Sequence, residues 1–473
     1  MKQLTKWKGT WGFYLAGEGI CLGIGYMYHL TLPWMIAACA IFLFFLPKWR
    51  RNYQKGKAEQ RRLSDAQIYM EQLLYAFMRQ EKLLAAIGEV LELFPAGKMH
   101  DTLQKAVELI RYDYQEENVT ERALKLIEEE YQNERLVLIH RFLYKVETVG
   151  GSYEGITTLL LQDLNGWRQR MDHYQKDCKK ERRNVGIAIG TAMFICMATT
   201  YLLPSKVDIS GNALQMASTV ILILVLLMVY TKADNKLAVN WLLEGEKRNE
   251  SHLADKYGQF LAFDEYKERR KSICMAVISG FAAFLFGFLS MIPIAGGCAL
   301  LGILLLNQHK IGHYLAKKTL TREIEKAFPH WLMELSLLLQ IDNVQVSIAK
   351  TVSHAPEVLQ PALEELMQEI EKNPEAAQPY LDFLQEFERP QIQSAMKMLY
   401  ALSVGNGGSE KEQLEELIAR NQNLMNQAEE LAHEDALAGM YLLFLAPALA
   451  GGMKLLVDMT IFMLTFFTQA SVG

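Results

Sequence analysis

Ionisable residues within long apolar segments are the first places in this sequence where chemistry could occur. Glu18 lies near the middle of the first predicted membrane crossing, and Lys454 and Asp458 lie one helical turn apart near the last. Because a charge in lipid is costly, these residues are functional candidates by default. Glu18 could carry a proton or cation, or could bridge two helices as a neutral acid. The spacing of Lys454 and Asp458 predicts a local ion pair near the outer surface.

Motifs of soluble enzyme chemistry are absent from the sequence. No glycine-rich loop ends in Lys-Ser or Lys-Thr, and no HExxH occurs. Gly150-Gly151-Ser152 is followed by Tyr153 and Glu154, not by the glycine of a nucleophile elbow. The six cysteines include no CxxC pair. We therefore expect a protein that is not an enzyme and holds no metal or other cofactor.

The composition limits the class of protein. The chain has 473 residues, 51% of them hydrophobic and 22% charged, with a formal net charge of -5. This balance is too apolar for a disordered chain. The slightly acidic net charge argues against nucleic acid as a partner.

Four apolar segments, each about twice the ~20 residues of a membrane-spanning helix, interrupt the chain. They cover residues 11–47, 185–231, 272–307 and 436–470. Each contains glycine, proline or polar residues near its middle, at 29–33, 204–212, 291–297 and 447–454. Because backbone groups must be paired in lipid, the pattern predicts four helical hairpins, and thus eight transmembrane helices. The polar segments between them are 48–184, 232–271 and 308–435.

The positions of the basic residues predict the orientation. All lysines and arginines except Lys206 and Lys454 lie outside the four apolar segments, on what would be one side of the membrane. Basic flanks of membrane helices stay in the cytoplasm. Both termini and all the large polar segments are therefore expected to be cytoplasmic.

The polar segments 48–184 and 308–435 have helical patterns. In the first, Ile156, Leu160, Leu164, Trp167 and Met171 share one face of a helix. These segments lack the sustained alternation of apolar and polar residues that would indicate strands. We predict two helical bundles, each connected by a charged stalk helix to the membrane segment that follows, with residues 232–271 as a linker.

The two halves of the chain, residues 1–233 and 234–473, have the same order of elements. Met70–Pro95 aligns without a gap with Trp331–Pro356, and Gly150-Gly151 corresponds to Gly407-Gly408. Since each half would cross the membrane an even number of times, the halves are predicted to be parallel repeats. The predicted fold class is an all-α membrane protein with a tandem parallel repeat.

The two bundles differ in charge. Segment 308–435 has about twice as many acidic as basic residues, and Glu364 and Glu365 belong to its acidic part. Such a surface could dock a basic partner, or could simply be a solvated face that keeps the bundle dispersed.

This arrangement resembles the type II secretion system F domain family, in particular the inner-membrane platform proteins of Tad (tight adherence) pilus systems. The resemblance lies in Met70–Pro95 and Trp331–Pro356, and in the glycine-containing turn before each stalk helix. Glu147 stands three residues before Gly150, similar to the Glu-then-Gly turn of the family, whereas the second copy lacks this glutamate. The sequence looks like two family units fused in one chain.

The resemblance implies a non-enzymatic, multi-pass platform in the bacterial cytoplasmic (inner) membrane. Its implied partners are a separate secretion ATPase, pilin or pseudopilin subunits and the lipid bilayer, and the platform could form a homo-oligomer. The alternative from the residues themselves is a membrane transporter or ion-coupled channel that uses Glu18.

Overall fold

The computed structural model describes residues 2–112, 119–150, 154–202, 212–238, 256–260, 262–288, 292–339, 342–405 and 410–472. The regular secondary structure of these residues is helical throughout, as predicted. The α-helices are α1 (Lys2–Met27), α2 (Leu32–Gln80), α3 (Leu83–Glu92), α4 (Lys98–Tyr112), α5 (Val119–Tyr131), α6 (Glu134–Val149), α7 (Glu154–Leu202), α8 (Ala213–Leu237), α9 (Glu265–Phe288), α10 (Ile292–Leu306), α11 (Gln308–Leu338), α12 (Val344–Val352), α13 (Gln360–Lys372), α14 (Gln378–Asp382), α15 (Pro390–Val404), α16 (Glu410–Leu437) and α17 (Met440–Val472). The described residues also include a 3-10 turn at Gln385–Phe387.

Membrane-type helices are a main component of the fold. Within the described chain, four helical stretches are long and apolar enough to cross a membrane: Leu32–Gln80, Gly155–Leu202, Ala213–Leu237 and Glu412–Thr468, the last of which includes most of α16 and α17. The α1–α2 turn falls at the predicted break at 29–33, and α9 and α10 meet near the predicted break at 291–297. The break at 204–212 lies almost wholly outside the described residues, as do 239–255 of the predicted linker.

Two helices extend far beyond the membrane. Helices α2 and α7 have 49 residues each. At 1.5 Å per residue, each is about 74 Å long, whereas the hydrocarbon core of a bilayer is about 30 Å thick. One end of each helix is apolar and the other is charged, because the same helix continues from the membrane segment into a helical bundle.

The structure differs from the predicted fourth hairpin. Residues 440–472 form one continuous helix, α17, with Pro447 inside it. The small residue Gly451 does not make a turn: a Cβ atom there would lie 3.5 Å from the Ala192 Cβ and the Cys196 Sγ of α7. Glycine thus permits close packing of α17 against α7.

Helix α17 runs parallel to the membrane part of α7. Gly439, just before its start, lies beside Lys236 at the end of α8, whereas Lys454, farther along it, lies beside Tyr28 in the α1–α2 turn. The two ends of α17 therefore lie at opposite ends of the membrane part of α7. This corrects the sequence-based expectation that a final hairpin returns the C-terminus to the side of the bundles.

The first bundle contains the charged half of α2, helices α3 to α6 and the first half of α7. Its core includes Tyr69, Phe77, Ile87 and Trp167, all fully buried. The predicted stripe on α7 faces this core, because Leu160, Leu164, Trp167 and Met171 are buried and Ile156 packs at its edge.

The second bundle contains α11 to α16 and has its own core around Phe328, Trp331, Ile348 and Tyr380. Tyr257, from the short described segment 256–260, also packs into it. The aligned segments Met70–Pro95 and Trp331–Pro356 have the same local form, namely the end of a long helix, a turn and a short helix.

The second half has breaks where the first half has continuous helices. Asn307 separates α10 from α11, and Gly439, with a φ of +82°, lies between α16 and α17. A positive φ favours glycine, so the chain can change direction there at little cost. Helices α9 and α10 pack mainly against each other rather than against α1, α2, α7, α8 and α17.

The buried imidazole of His140 makes the first bundle sensitive to pH. Its Nδ1 lies 2.9 Å from Glu128 Oε1, and its Nε2 lies 3.0 Å from the Tyr69 hydroxyl. Because a carboxylate only accepts, Nδ1 donates to Glu128 and Nε2 accepts from Tyr69. Burial lowers the pKa of His140 from its ordinary value of 6.5, although Glu128 partly offsets this effect.

We predict that the first bundle loses stability as the pH falls below about 6.5, because the unfolded imidazole binds a proton more readily than the folded one. The free energy of unfolding should fall by up to ~1.4 kcal/mol per pH unit from this group. The test is chemical denaturation at pH values from about 7.5 to about 5, the range where histidine titrates. The free energy of unfolding should depend less steeply on pH in His140→Gln than in the original chain. The exposed His173→Gln is the matched control, and an equal slope in both variants would contradict the assignment.

Candidate functional site

The interface between the two bundles contains a buried ionic network that begins at Arg135. The Asn133 side chain accepts from the Leu136 backbone N–H (3.2 Å) and so caps the start of α6. This cap places Arg135 in the first turn, where its Nε donates to Asp163 Oδ2 of α7 at 2.9 Å. The Arg135 guanidinium also lies 5.3 Å from the centre of the Trp167 ring, within the range of a cation–π contact.

Glu429 on α16 connects the second bundle to this network. One of its carboxylate oxygens accepts from Arg135 and the other from Arg170. The side chains of Arg135, Asp163 and Glu429 are 4%, 6% and 7% exposed, and that of Arg170 is 15% exposed. Two guanidinium groups and two carboxylates therefore neutralise each other away from water, as buried charges require.

Further contacts hold the same helices together along the interface. Gln422 of α16 donates to the Leu159 carbonyl of α7 at 3.1 Å. Farther toward the membrane, the rings of Tyr174 and His433 stack with centroids 4.1 Å apart and planes 2° apart. Helices α7 and α16 are thus in contact from the bundles to the start of the membrane segment.

One end of the interface opens into a cleft of about 760 Å³. The ends of α6 and α15 line it at Gly150 and Gly405, both with positive φ (+78° and +69°). These are the glycine turns that precede the two stalk helices α7 and α16. The structure therefore brings the corresponding turns of the two halves to one cleft.

Four charged side chains in the wall of the cleft form ion pairs. Arg141 of α6 donates to Glu334 of α11 at 2.7 Å. Asp342 accepts from Lys350 at 2.8 Å and lies 3.7 Å from Lys145. The hydrogen bond from Lys350, together with the nearby Lys145, lowers the pKa of Asp342. The remaining wall is mainly aliphatic, so the cleft offers a mostly apolar surface.

Glu147, a candidate from the sequence, has a local partner. Its Oε1 accepts from the Leu83 backbone N–H at 3.1 Å and so caps the start of α3. In the second bundle the corresponding helix α12 is capped by its own Asn343, which accepts from Val346 N–H at 2.9 Å. Helix α12 therefore needs no glutamate from another helix as its cap.

The other candidates from the sequence lie apart from the ionic network. Glu364 and Glu365 are exposed on α13, whose opposite face is buried through Leu363 and Leu366. Gly150 lines the cleft, as described above. Three further candidates, Gly151, Gly407 and Gly408, lie outside the described residues.

Glu18 lies on α1 where this helix faces α2. Its carboxylate interacts with the Cys39 thiol, which also interacts with Cys21. The Oε1 atom of Glu18 is buried and has no hydrogen-bond partner among the described residues. This arrangement connects α1 to α2. The described residues contain no group of three or more histidine, cysteine or acidic side chains suited to a metal ion.

Lys454 and Asp458 form an i, i+4 ion pair inside the membrane helices. The Lys454 Nζ lies 2.5 Å from Asp458 Oδ2, and both side chains are buried. The ammonium group also lies 5.7 Å from the centre of the Tyr28 ring, and the Tyr28 hydroxyl donates to the Met193 carbonyl at 2.6 Å. The pair therefore connects α17 to the α1–α2 turn and to α7.

The ionic network was not predicted from the sequence, although the positions of two of its residues could have indicated it. Asp163 and Arg170 lie on the apolar face of α7, at spacings of four and three residues from the core residue Trp167. Charged residues on a face that packs into a core require partners. Nothing in the pattern points to Glu429, which is 259 residues from Arg170 along the chain.

Fold and site together define the class: this is an all-helical protein with apolar helices of membrane-spanning length and two helical bundles joined by a buried ionic network. Comparisons of the chain with protein-family models, with curated proteins and with solved structures return no match.

We predict that Glu429→Gln lowers the free energy of unfolding by about 3 kcal/mol, because it leaves two buried guanidinium groups without their shared carboxylate. Chemical denaturation of the full chain in detergent measures this change. The neighbouring exposed Glu430→Gln is the matched control and should stay within about 0.5 kcal/mol of the original chain. Equal effects of the two substitutions would show that the network does not stabilise the interface.

Proposed function

We propose that the chain is a non-enzymatic inner-membrane platform of a type IV or Tad-like pilus, or of a type II secretion machine. In this role it couples a cytoplasmic secretion ATPase to the extraction of pilin or pseudopilin subunits and to filament assembly. The main support is the continuity of α7, whose 49 residues run without a break from the ionic network into the apolar membrane segment. The family resemblance of the sequence supplies the identity of the partners.

The proposed mechanism depends on the stiffness of the long helices. A long helix transmits a rotation of one end to the other, whereas a loop would absorb it. Glu429 holds α16 against α7 through Arg135 and Arg170, so a push on either bundle moves the common pair of helices. At the membrane end, α7 packs against α17 at Gly451, and the movement reaches the membrane helices there.

The acidic face of α13 is the proposed docking surface for the ATPase. Glu364, Glu365 and Glu369 are exposed on it. An acidic surface steers a basic partner and raises its association rate. The membrane helices are the proposed contact for the apolar helix of a pilin.

For the topology, we propose seven membrane crossings, by α1, α2, α7, α8, α9, α10 and α17. The bundles and the N-terminus would be cytoplasmic, in line with the basic flanks of the membrane helices. Because α17 is continuous and runs parallel to α7, the C-terminus would lie on the opposite side of the membrane.

We predict that neutralising the acidic face by Glu364→Gln, Glu365→Gln and Glu369→Gln weakens co-purification of the secretion ATPase at least about fivefold, since each surface charge pair contributes up to about 1 kcal/mol. The matched control neutralises three exposed glutamates of the first bundle, Glu92, Glu108 and Glu129. If both triple variants retain the ATPase equally, the docking surface is misassigned.

We predict that a membrane-impermeant thiol reagent labels a cysteine appended after residue 473 in intact cells, and labels a cysteine placed before residue 2 only after lysis. The reason is the single crossing by α17. Protection of the C-terminal cysteine in intact cells would instead support a helix that returns to the cytoplasmic side.

A further inference from the structure

Helices α2, α7 and α8 leave their apolar segments at a common level, which Trp49 marks. The Trp49 Nε1 donates to Thr231 Oγ1 of α8 at 2.9 Å. Its ring makes edge contacts with Phe42 and Tyr230, with centroids 5.5 Å and 5.0 Å away. Tryptophan and tyrosine favour the boundary between hydrocarbon and headgroups. We take this level as the membrane boundary on the side of the bundles.

An acidic group next to this boundary, Asp234, is already neutralised. Asp234 of α8 is buried, accepts from Asn52 of α2 at 2.8 Å and lies 3.0 Å from Arg182 of α7. The three helices are therefore fixed to one another at this point. The Asp234 carboxylate is therefore already occupied by Asn52 and Arg182.

A group of exposed cations surrounds this junction, and we name it the basic collar. Its six members are Lys48, Arg51, Lys179, Lys180, Arg183 and Lys232. No ion pair joins any of them to another described residue, whereas cations within the bundles are commonly paired, as Lys98 is with Glu130. The collar thus presents six cations that have no ion-pair partner in the described chain, at the level where lipid headgroups lie.

We propose that the basic collar binds the headgroups of anionic phospholipids in the leaflet on the side of the bundles. The dimensions fit, because the headgroup layer is about 5–7 Å thick on each side of the hydrocarbon core. Lys48 to Arg51 rises about 4.5 Å along α2, and Lys179 to Arg183 about 6 Å along α7. Both groups therefore lie within one headgroup layer.

The position of the collar favours a lipid over a soluble anion. The apolar segment of α2 ends at Pro47 and that of α7 begins at Val185, directly beside the cations. A phospholipid can place its phosphate among the collar residues and its acyl chains against the adjoining apolar helix surface. Each basic residue near a membrane surface strengthens binding by about fivefold.

The test measures which lipids stay bound to the full chain. The chain is reconstituted in vesicles of phosphatidylcholine and phosphatidylglycerol, extracted in mild detergent, and the retained lipids are quantified by mass spectrometry. The collar variant carries Lys48→Gln, Arg51→Gln, Lys179→Gln and Arg183→Gln. The control variant removes four exposed, unpaired lysines of the bundles, by Lys82→Gln, Lys105→Gln, Lys372→Gln and Lys397→Gln.

We expect phosphatidylglycerol to be enriched on the original chain and on the control variant. The collar variant should lose that enrichment by at least about fivefold. Equal enrichment in both variants would overturn the proposal. So would loss of enrichment on adding glycerol phosphate, because the collar would then bind the free anion as well as the lipid.

A second measurement needs no variant, in case the collar variant does not fold. Enrichment on the original chain should fall as sodium chloride is raised, because salt screens exposed charges. Enrichment that survives molar salt would mean that lipid selection comes from the apolar helix surface, and the collar would have no part in it.

Discussion

The buried carboxylate of Glu429 is the interaction on which the rest of the structure depends. It is shared by Arg135 of α6 and Arg170 of α7, while Asp163 balances the second positive charge. An isolated charge in this position would cost several kcal/mol, so the four groups are stable only together. Since they come from both halves of the chain, the network requires the two bundles to face each other in one register.

The long helices α2 and α7 connect this fixed arrangement of the two bundles to the membrane helices. The bundles alone would be two helical cores held by side-chain contacts, but α2 and α7 continue from the first core to the membrane helices. The second bundle has breaks at Asn307 and Gly439 instead. The first half is thus the stiffer connection to the membrane, and contacts of α16 with α7 hold the second bundle to that connection.

Local features of the fold could be predicted from the sequence, whereas contacts between distant segments could not. The all-helical class, the α1–α2 turn and the apolar face of α7 follow from local periodicity and from turn residues. The fourth apolar segment gave an ambiguous signal, because Pro447 and Gly451 suit a turn as well as a close helix contact. The structure uses the glycine for packing against Ala192. Glu429 has no local signal, since its partners lie in other helices.

The most direct test of the account is the distance distribution between spin labels on the two bundles, at the exposed positions Lys105 and Lys397 of the full chain. Pulsed electron spin resonance should give one narrow distribution for the original chain and a broad one for Glu429→Gln, because the shared carboxylate fixes the bundles in one arrangement. A broad distribution in the original chain, or a narrow and unchanged one in the variant, would contradict the central role of this network.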